Sequence, residues 1–253
     1  MSLVLLSLGM LALFLDLEHK LYVWRLYTTF EWTSPMSWGA WILLLVYPAL
    51  IANLLLQVPA ALRIRVPALG RLSDHLLARP EWLRRVGALN MIWGALLGVY
   101  TGILLSALGA RPLWNSALLG PFFLVSGLSA AAAFVHLIAL DAGERELLAR
   151  ADNGFLIAEL AFLTLFLLGL VSSTEAHQQA AGLILGGPFT AVFWVGVIGL
   201  GIVVPLTIQL LALQHRVART PIAPLLVIAG GLVLRFVIVQ AGQVSHWARV
   251  PGL

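Results

Sequence analysis

Long apolar segments dominate this chain and constrain what it can fold into. Runs of about 20 residues with few charges are long enough to cross a lipid bilayer as helices. Six such runs cover residues 36–59, 86–108, 113–140, 154–172, 189–213 and 222–242. A seventh run, 1–15, has neither the basic region nor the cleavage site of a signal peptide, so we interpret it as a further span. The sequence predicts an all-α polytopic transmembrane helix bundle of about seven spans, forming one integral-membrane domain over 1–253.

The composition excludes several classes of protein. Charged residues make up only 10% of the chain, whereas soluble domains have about 25%. The chain has no cysteine, so it supplies no disulfide and no thiolate ligand for an iron–sulfur cluster or zinc. A haem held by two histidines is not expected, because His136 is the only histidine clearly inside a predicted span. We therefore expect no haem and no metal bound by this chain.

The loops differ in positive charge according to the side of the membrane. One side, here called face A, carries the loops 60–85, 141–153 and 214–221. The other side, face B, carries 16–35, 109–112, 173–188 and the C-terminus. Ten arginines lie on face A, namely Arg63, Arg65, Arg71, Arg79, Arg84, Arg85, Arg145, Arg150, Arg216 and Arg219. Four basic residues lie on face B, namely Lys20, Arg25, Arg111 and Arg249.

This asymmetry predicts the orientation of the chain in a bacterial or archaeal cytoplasmic membrane. Loops rich in lysine and arginine remain on the cytoplasmic side, so face A is predicted to be cytoplasmic and face B periplasmic. The net charge of +4 is explained in the same way. We therefore expect contact with membrane lipid and none with nucleic acid.

The stretch TSPMSWGAW, residues 33–41, opens one of the predicted spans. Ser34 and Pro35 are typical of a helix start, because serine caps free N–H groups and proline has none to leave unpaired. Trp38 and Trp41 follow at a spacing that places both on one side of the first turns. Such tryptophans often form the aromatic belt at a membrane boundary. The stretch therefore fits either a capped, belted helix start or a contact surface for another subunit.

Four stretches in order resemble those of the NrfD-type membrane subunits, which include the polysulfide reductase membrane subunit. They are LDLEHK at 15–20, TSPMSWGAW at 33–41, RPLWN at 111–115 after Tyr100-Thr-Gly, and GGLVLRFVIVQAGQ at 230–243. LDLEHK departs from the family by having Glu18 and His19 where the pattern has glycine and arginine. A family helix upstream of this stretch has no counterpart here. We expect a truncation, a misassigned start or a helix supplied by another subunit.

The resemblance implies a role in electron transfer. Family members anchor a periplasm-facing iron–sulfur subunit, which in turn contacts a molybdopterin-type catalytic subunit. They exchange electrons with a membrane quinone, either menaquinone or ubiquinone. On this interpretation the partner docks on face B, at a surface that includes Ser34, Pro35, Trp38 and Trp41. The alternative is a small transporter or permease subunit, which usually shows repeated halves and polar residues at the midplane; we find no such repeat.

The resemblance also implies the residues that contact the quinone. Tyr100 aligns with the family's quinone-contacting tyrosine, although a tyrosine at this depth also fits a packing role. Arg235 lies at a similar predicted depth, and a buried guanidinium needs a partner. Asp16 is the carboxylate nearest in predicted height, so the two either contact the quinone or form a structural pair. His19 lies one turn from Asp16, and a histidine next to a carboxylate can transfer protons near neutral pH.

Two further polar sets complete the predicted site. The first begins the span after Tyr100 and either lines the mouth of the quinone pocket, contacts the docked subunit or forms an interfacial turn; its members are Arg111, Trp114 and Asn115. The second lies four to six residues from the face A ends of four spans and includes Asn53, Asn90, His136 and Glu159. We predict that this set shares one depth and conducts protons, with Glu159 and His136 as carriers. Hydrogen-bonded packing between helices is the alternative.

Overall fold

A computed structural model describes residues 2–56, 58–107, 109, 111–214 and 220–247, and these residues are mostly helical and contain no strand. Arg216, Arg219 and Arg249, counted above in the loops, lie outside these residues. Within them, six helical segments are long and apolar enough to cross a membrane: Pro35–Leu56, Pro80–Ala107, Leu119–Ile138, Ala142–Val171, Val192–Leu213 and Ile222–Val244. The first apolar run forms a shorter helix. The prediction of an all-α polytopic fold is confirmed.

The helices follow one another with short connections. In chain order they are α1 Ser2–Asp16, α2 Arg25–Thr28, α3 Pro35–Leu56, α4 Ala60–Arg65, α5 Pro67–Leu77, α6 Pro80–Ala107, α7 Leu119–Ile138, α8 Ala142–Val171, α9 Glu175–Leu185, α10 Val204–Leu213 and α11 Ile222–Val244. Short 3₁₀ turns form at Lys20–Tyr22 and Pro112–Trp114, and a π-helical segment, Val192–Val203, leads directly into α10. The contacts divide the chain into an N-terminal unit, 1–100, and a C-terminal unit, 101–253.

In the N-terminal unit, the segment predicted as the loop 60–85 is folded rather than extended. It contains α4, α5 and the first turns of α6. Ser73 donates a hydrogen bond of 3.0 Å to the carbonyl of Leu56, one of the last carbonyls of α3, which have no partner within the helix. Arg63 donates to Ser73 and forms an ion pair with Asp74, with 3.1 and 3.0 Å between the atoms. These contacts fix the two short helices to the end of α3.

The C-terminal unit is built around α7 and α11, which pack against each other. α8 lies along α7, and the π-helical segment lies along α11. Large side chains fill the space between the helices, and the most buried rings are Phe122, Phe166 and Phe193. Phe122 and Phe166 stack with 6.2 Å between ring centroids, which joins α7 to α8.

α8 begins twelve residues before the predicted span 154–172, which corrects the sequence-based boundary. Asp141 caps the helix, because its carboxylate accepts the backbone N–H of Glu144 at 2.9 Å. The following turns are charged and lie outside the apolar run, but they continue the helix without a break. The predicted loop 141–153 is therefore mostly helical.

α11 and the π-helical segment approach so closely that only glycine fits at their crossing. A Cβ atom added to Gly230 would lie 2.2 Å from the Cα of Gly201. Contact between two backbones is typical of helix pairs in membranes, where van der Waals packing replaces the hydrophobic effect as the main attraction. The crossing therefore depends on both glycines.

We expect Gly230→Ala to lower the free energy of unfolding by about 1–3 kcal/mol, because the added methyl group forces two backbones apart. Thermal unfolding in detergent measures the change. Gly169→Ala is the matched control, because a Cβ at Gly169 meets no atom within 4 Å. The control should leave stability unchanged or raise it by up to about 1 kcal/mol, as alanine favours a helix. Equal effects of the two substitutions would contradict the close crossing.

Candidate functional site

Arg235 lies in the middle of α11 with its guanidinium group held by the C-terminal unit. Nη1 donates to the carbonyl of Gly231 at 2.9 Å and to the hydroxyl of Ser126 at 3.4 Å. The guanidinium carbon lies 5.8 Å from the ring centroid of Phe123, a distance compatible with a cation–π contact. The side chain thus has both polar partners and an aromatic face.

Glu159 on α8 supplies the carboxyl group next to Arg235. Its side chain is buried and within electrostatic range of Arg235, although the two side chains form no direct ion pair among the described residues. Ser126 on α7 contacts Arg235. A buried guanidinium near a buried carboxyl group costs far less than either charge alone. Whether Asp16 also approaches Arg235 stays a prediction, because the side chain of Asp16 lies outside the described part of the structure.

A second buried carboxyl group, Asp152, was not singled out from the sequence. It lies two turns before Glu159 on α8 and is 1% exposed. Ser129 donates to one carboxylate oxygen at 2.6 Å, and the amide nitrogen of Gln209 donates to the other at 2.7 Å. Asp152 was assigned to a loop, although the capping by Asp141 and the Glu146–Arg150 spacing already indicated a continuing helix.

Glu159 and His136 do not share one depth, contrary to the sequence-based prediction. Ser129 of α7 contacts Asp152 of α8, and the two helices run in opposite directions. His136 lies seven residues after Ser129 and Glu159 lies seven residues after Asp152, so each is displaced by about 10 Å, in opposite directions. The prediction was wrong because α8 begins at Ala142, so that Glu159 lies near the middle of its helix rather than near one end.

His136 instead lines a small cavity where α7 ends and α8 begins. The cavity has a volume of about 20 Å³, and its polar lining residues are His136, Arg145, Glu146, Gln209 and Thr220. Gln209 is shared with the contact to Asp152. The cavity therefore lies one side chain away from the buried carboxyl group.

In the turn that contains Arg111, Trp114 and Asn115, the first two side chains anchor the turn to the C-terminal part of the chain, whereas Asn115 is exposed. Trp114 is buried, and its indole N–H donates to the carbonyl of Ile238 at 2.9 Å. A Cβ atom on Gly242 would lie 1.8 Å from the Trp114 indole nitrogen, so the ring occupies the space above this glycine. Arg111 binds the carbonyl of Ser245 at 3.0 Å. Two of the four resemblance motifs are thus packed against each other.

In the N-terminal unit, Tyr100 on α6 lies directly over Gly39 of TSPMSWGAW. A Cβ atom on Gly39 would lie 1.8 Å from the phenol ring, so only glycine leaves room for it. Ten residues away along each helix, Asn90 donates to the carbonyl of Ala49 at 3.0 Å. The two contacts fix α3 and α6 in antiparallel register. Asn90 thereby packs two helices together, and Asn53 is half-buried on α3.

A groove with aromatic walls is formed by residues of α3 and α6, one turn of α6 away from Tyr100. Its volume is about 540 Å³, and it is lined by Phe30, Trp38, Trp41, Ile42, Leu45, Trp93 and Leu96. Leu96 lies one turn before Tyr100 and therefore on the same face of α6. The indole N–H of Trp41 is buried and has no hydrogen-bond partner among the described residues. An apolar groove with an unused donor is suited to a flat ligand with carbonyl groups.

The remaining predicted residues lie near the start of α3 and in the segment before it. Pro35 is the first residue of α3, as predicted. Ser34 directly precedes it, and Ser37 accepts the backbone N–H of Glu31 at 3.0 Å. Trp38 is 42% exposed and donates to the carbonyl of Trp32 at 3.0 Å.

His19, which was predicted to act with Asp16, is exposed just before the first 3₁₀ turn. Its ring lies 6.4 Å from that of Tyr22. A relay between His19 and Asp16 stays a prediction.

These features define a multi-pass integral membrane protein whose membrane-spanning helices bury ionisable side chains and whose α3 and α6 line an aromatic groove. The chain belongs to the NrfD family, described as "Polysulphide reductase, NrfD", which it matches over residues 1–246. Members of this family are membrane-anchor subunits of oxidoreductase complexes.

Three relatives are similar over most of their length. The protein is 33% identical to "Protein NrfD" of Escherichia coli K12, over 94% of its own length and 79% of that protein. It is 30% identical to the C subunit of polysulfide reductase from Wolinella succinogenes, over 93% of its own length and 77% of that subunit. It is 28% identical to "Protein NrfD homolog" of Haemophilus influenzae, over 94% of its own length and 78% of that protein.

The electrostatic interaction between Arg235 and Glu159 predicts a coupling that a double-mutant cycle measures. Arg235→Met should lower the free energy of unfolding by about 1–3 kcal/mol, because hydrogen bonds from a charged group are lost and Glu159 is left without its cation. Glu159→Gln in the same chain should recover part of this loss. The coupling should be about 0.5–3 kcal/mol by thermal unfolding.

The control for this cycle is Arg150→Met, because Arg150 pairs with Glu146 on the exposed side of α8. Surface substitutions usually change stability by less than about 0.5 kcal/mol. If the effects of Arg235→Met and Glu159→Gln were simply additive, the two side chains would not be a pair.

Proposed function

We propose that the protein is the quinone-reactive membrane anchor of a multisubunit respiratory oxidoreductase. In this role it exchanges electrons between the membrane quinone pool, menaquinone or ubiquinone, and an iron–sulfur subunit on the periplasmic side. That subunit in turn contacts a molybdopterin-type catalytic subunit. The observation that carries the proposal is the position of Tyr100, against Gly39 and one turn beyond an aromatic groove. Membership of the NrfD family supports the same role.

The residues around the groove fit a quinone in three respects. The groove is almost entirely apolar, as a ring and an isoprenoid tail require, and it is large enough for a small ligand. The phenol of Tyr100 and the indole of Trp41 are hydrogen-bond donors suited to quinone carbonyl oxygens. Leu45, Trp93 and Leu96 line the part of the groove towards the interior of α3 and α6, where a tail would lie.

The chemistry follows from what each group can do. A bound quinone supplies the redox step, which takes up or releases two electrons and two protons. Tyr100 orients the quinone by donating its O–H to a carbonyl oxygen, while Gly39 holds the phenol ring in place. Arg235, His19, Asp16, Arg111, Trp114 and Asn115 are the further quinone-contacting residues predicted from the sequence. Proton exchange at the quinone is assigned to the predicted proton path of Glu159, His136, Asn53 and Asn90.

The docking of the iron–sulfur subunit is proposed at the start of α3. Trp32 and Trp38 are exposed there, and their rings lie 5.4 Å apart in an edge-to-face arrangement. Phe30 packs edge-on against both rings. Exposed tryptophans in a rigid cluster are typical of the residues that contribute most to protein–protein binding. This surface includes Ser34, Pro35, Trp38 and Trp41, so the same stretch borders both the groove and the proposed partner.

Tyr100→Phe should reduce kcat/KM for quinol roughly two- to twelvefold, which corresponds to loss of one hydrogen bond worth about 0.5–1.5 kcal/mol. The measurement is quinone-dependent turnover of the purified membrane complex, with inhibitor titration alongside. Assembly of the complex and its activity with an artificial dye should remain intact. Tyr47→Phe is the control, because Tyr47 contacts Ser7 on the exposed side of α3. Unchanged turnover and inhibitor affinity in Tyr100→Phe would place the quinone elsewhere.

Leu96→Trp should separate binding of the tail from binding of the ring. The larger side chain fills the groove, so KM for a quinol with a long isoprenoid tail should rise about tenfold, the equivalent of about two buried methylene groups. A short-chain analogue should be affected much less. Leu89→Trp is the control, because Leu89 is exposed on α6 outside the groove. Equal losses for long and short quinols would exclude the groove as the site of the tail.

A further inference from the structure

Asp152 is a buried carboxyl group that binding of a quinone at Tyr100 does not require. It lies inside α8, a helix long and apolar enough to cross a membrane. Its described hydrogen-bond donors, Ser129 and Gln209, are both neutral. Ionisable side chains inside a membrane are costly, and they are retained mainly where they have a function. Asp152 is therefore a candidate for a functional role, and its two neutral partners are compatible with binding and release of a proton.

The two partners of Asp152 can satisfy the side chain with or without a proton. The hydroxyl group of Ser129 can donate to a carboxylate or, after rotation, accept from a carboxylic acid. The amide of Gln209 donates to Asp152 through its nitrogen, while its oxygen is buried with no partner among the described residues. A half-turn of this amide presents that oxygen to a protonated Asp152. The side chain of Asp152 can thus form a hydrogen bond with Gln209 in either protonation state.

The cavity at the end of α7 gives this site a connection to water. Its volume of about 20 Å³ suffices for one water molecule, which needs at least about 10–15 Å³ and two to four polar partners. His136, Glu146 and Thr220 supply such partners, and Gln209 forms the wall towards Asp152. Gln209 thus contacts both the cavity and the carboxyl group of Asp152.

Two buried hydroxyl groups lie on the face of α7 that meets Asp152 and Arg235. Ser129 and Ser126 are three residues apart on α7, so they lie on the same face with about 4.5 Å of rise between them. Both are buried. Ser129 donates to Asp152, whereas Ser126 accepts from Arg235.

The charged and titratable groups near Asp152 come from two helices among the described residues. Glu159 on the same helix is within electrostatic range. Beyond Gln209, the cavity is lined by Arg145 and Glu146 of α8 and by His136 of α7. α7 presents Ser126 and Ser129, and α10 presents Gln209. α9 also packs on α8, but it follows the opposite end of that helix from Asp152.

We propose that Asp152 is a proton-carrying residue that exchanges protons with water in the cavity at His136. A proton enters from water in the cavity and converts the carboxylate to the acid, while Gln209 turns to accept the new O–H. When the proton returns to the water, the amide of Gln209 turns back and Asp152 is again a carboxylate. The use of this route for quinone protons rests on the proposed function, whereas the route itself does not.

Infrared difference spectroscopy of the purified protein in lipid nanodiscs tests the route without any quinone. During a pH titration, a carbonyl band from a protonated carboxyl group should appear, disappear in Asp152→Asn and remain in Glu159→Gln. Transfer to D₂O should shift this band. Ala212→Leu, which narrows the cavity, should slow that exchange about tenfold, because a single water no longer fits. Ala161→Leu on the exposed side of α8 is the control and should exchange as the native protein does.

Two results would overturn the proposal. The first is a folded protein in which no carbonyl band depends on Asp152 at any pH, since the group would then stay ionised. The second is an exchange rate that Ala212→Leu leaves unchanged. If that variant does not fold, Thr220→Val keeps the side-chain shape, removes one partner of the water and should slow exchange likewise. Failure of the Tyr100→Phe experiment would leave these infrared results unaffected, so the two proposals can fail separately.

Discussion

Close approach of helices at glycine is the constraint on which both units depend. In a lipid surrounding, apolar side chains gain little by leaving the solvent, so helices associate by fitting together closely. Three glycines meet this need in different ways. Gly230 lies against the backbone of Gly201, Gly242 makes room for the indole of Trp114, and Gly39 makes room for the phenol of Tyr100. The last two hold an aromatic ring with a hydrogen-bonding group in one position.

The second constraint is that every polar group inside the spans needs a partner. Where the helices of the C-terminal unit bury a carboxyl group, a hydroxyl or an amide from another helix meets it, as at Ser129 and Gln209 with Asp152. The groups without partners are therefore informative. The amide oxygen of Gln209 and the indole N–H of Trp41 are both buried and unpaired among the described residues, as are the side-chain amide of Asn153 and the hydroxyl of Thr190. The first two each lie next to a cavity, which is where a water molecule or a ligand completes the hydrogen bonding.

The spans were largely predictable from sequence, and the partners of the buried side chains were not. Apolar runs locate the six long helices because a bilayer fixes their minimum length. The start of α8 was missed because the apolar run begins only at residue 154. The backbone hydrogen bonding of the helix begins earlier, at the cap formed by Asp141. Asp152 lies in the turns before residue 154 and was therefore assigned to a loop. The contact between Tyr100 and Gly39 depends on how α3 and α6 are aligned along each other. The two residues are 61 positions apart in the sequence, so no local sequence pattern predicts this contact.

The packing of Trp114 against α11 has a consequence for the order of the folding steps. The indole binds the carbonyl of Ile238, 124 residues later in the sequence. At a synthesis rate of about 5–20 residues per second, the ribosome needs roughly 6–25 s to make the intervening segment. During that interval a large aromatic ring and its N–H group lack their native environment. The C-terminal unit can therefore reach its final packing only after α11 has been inserted, which makes it a late step of biogenesis.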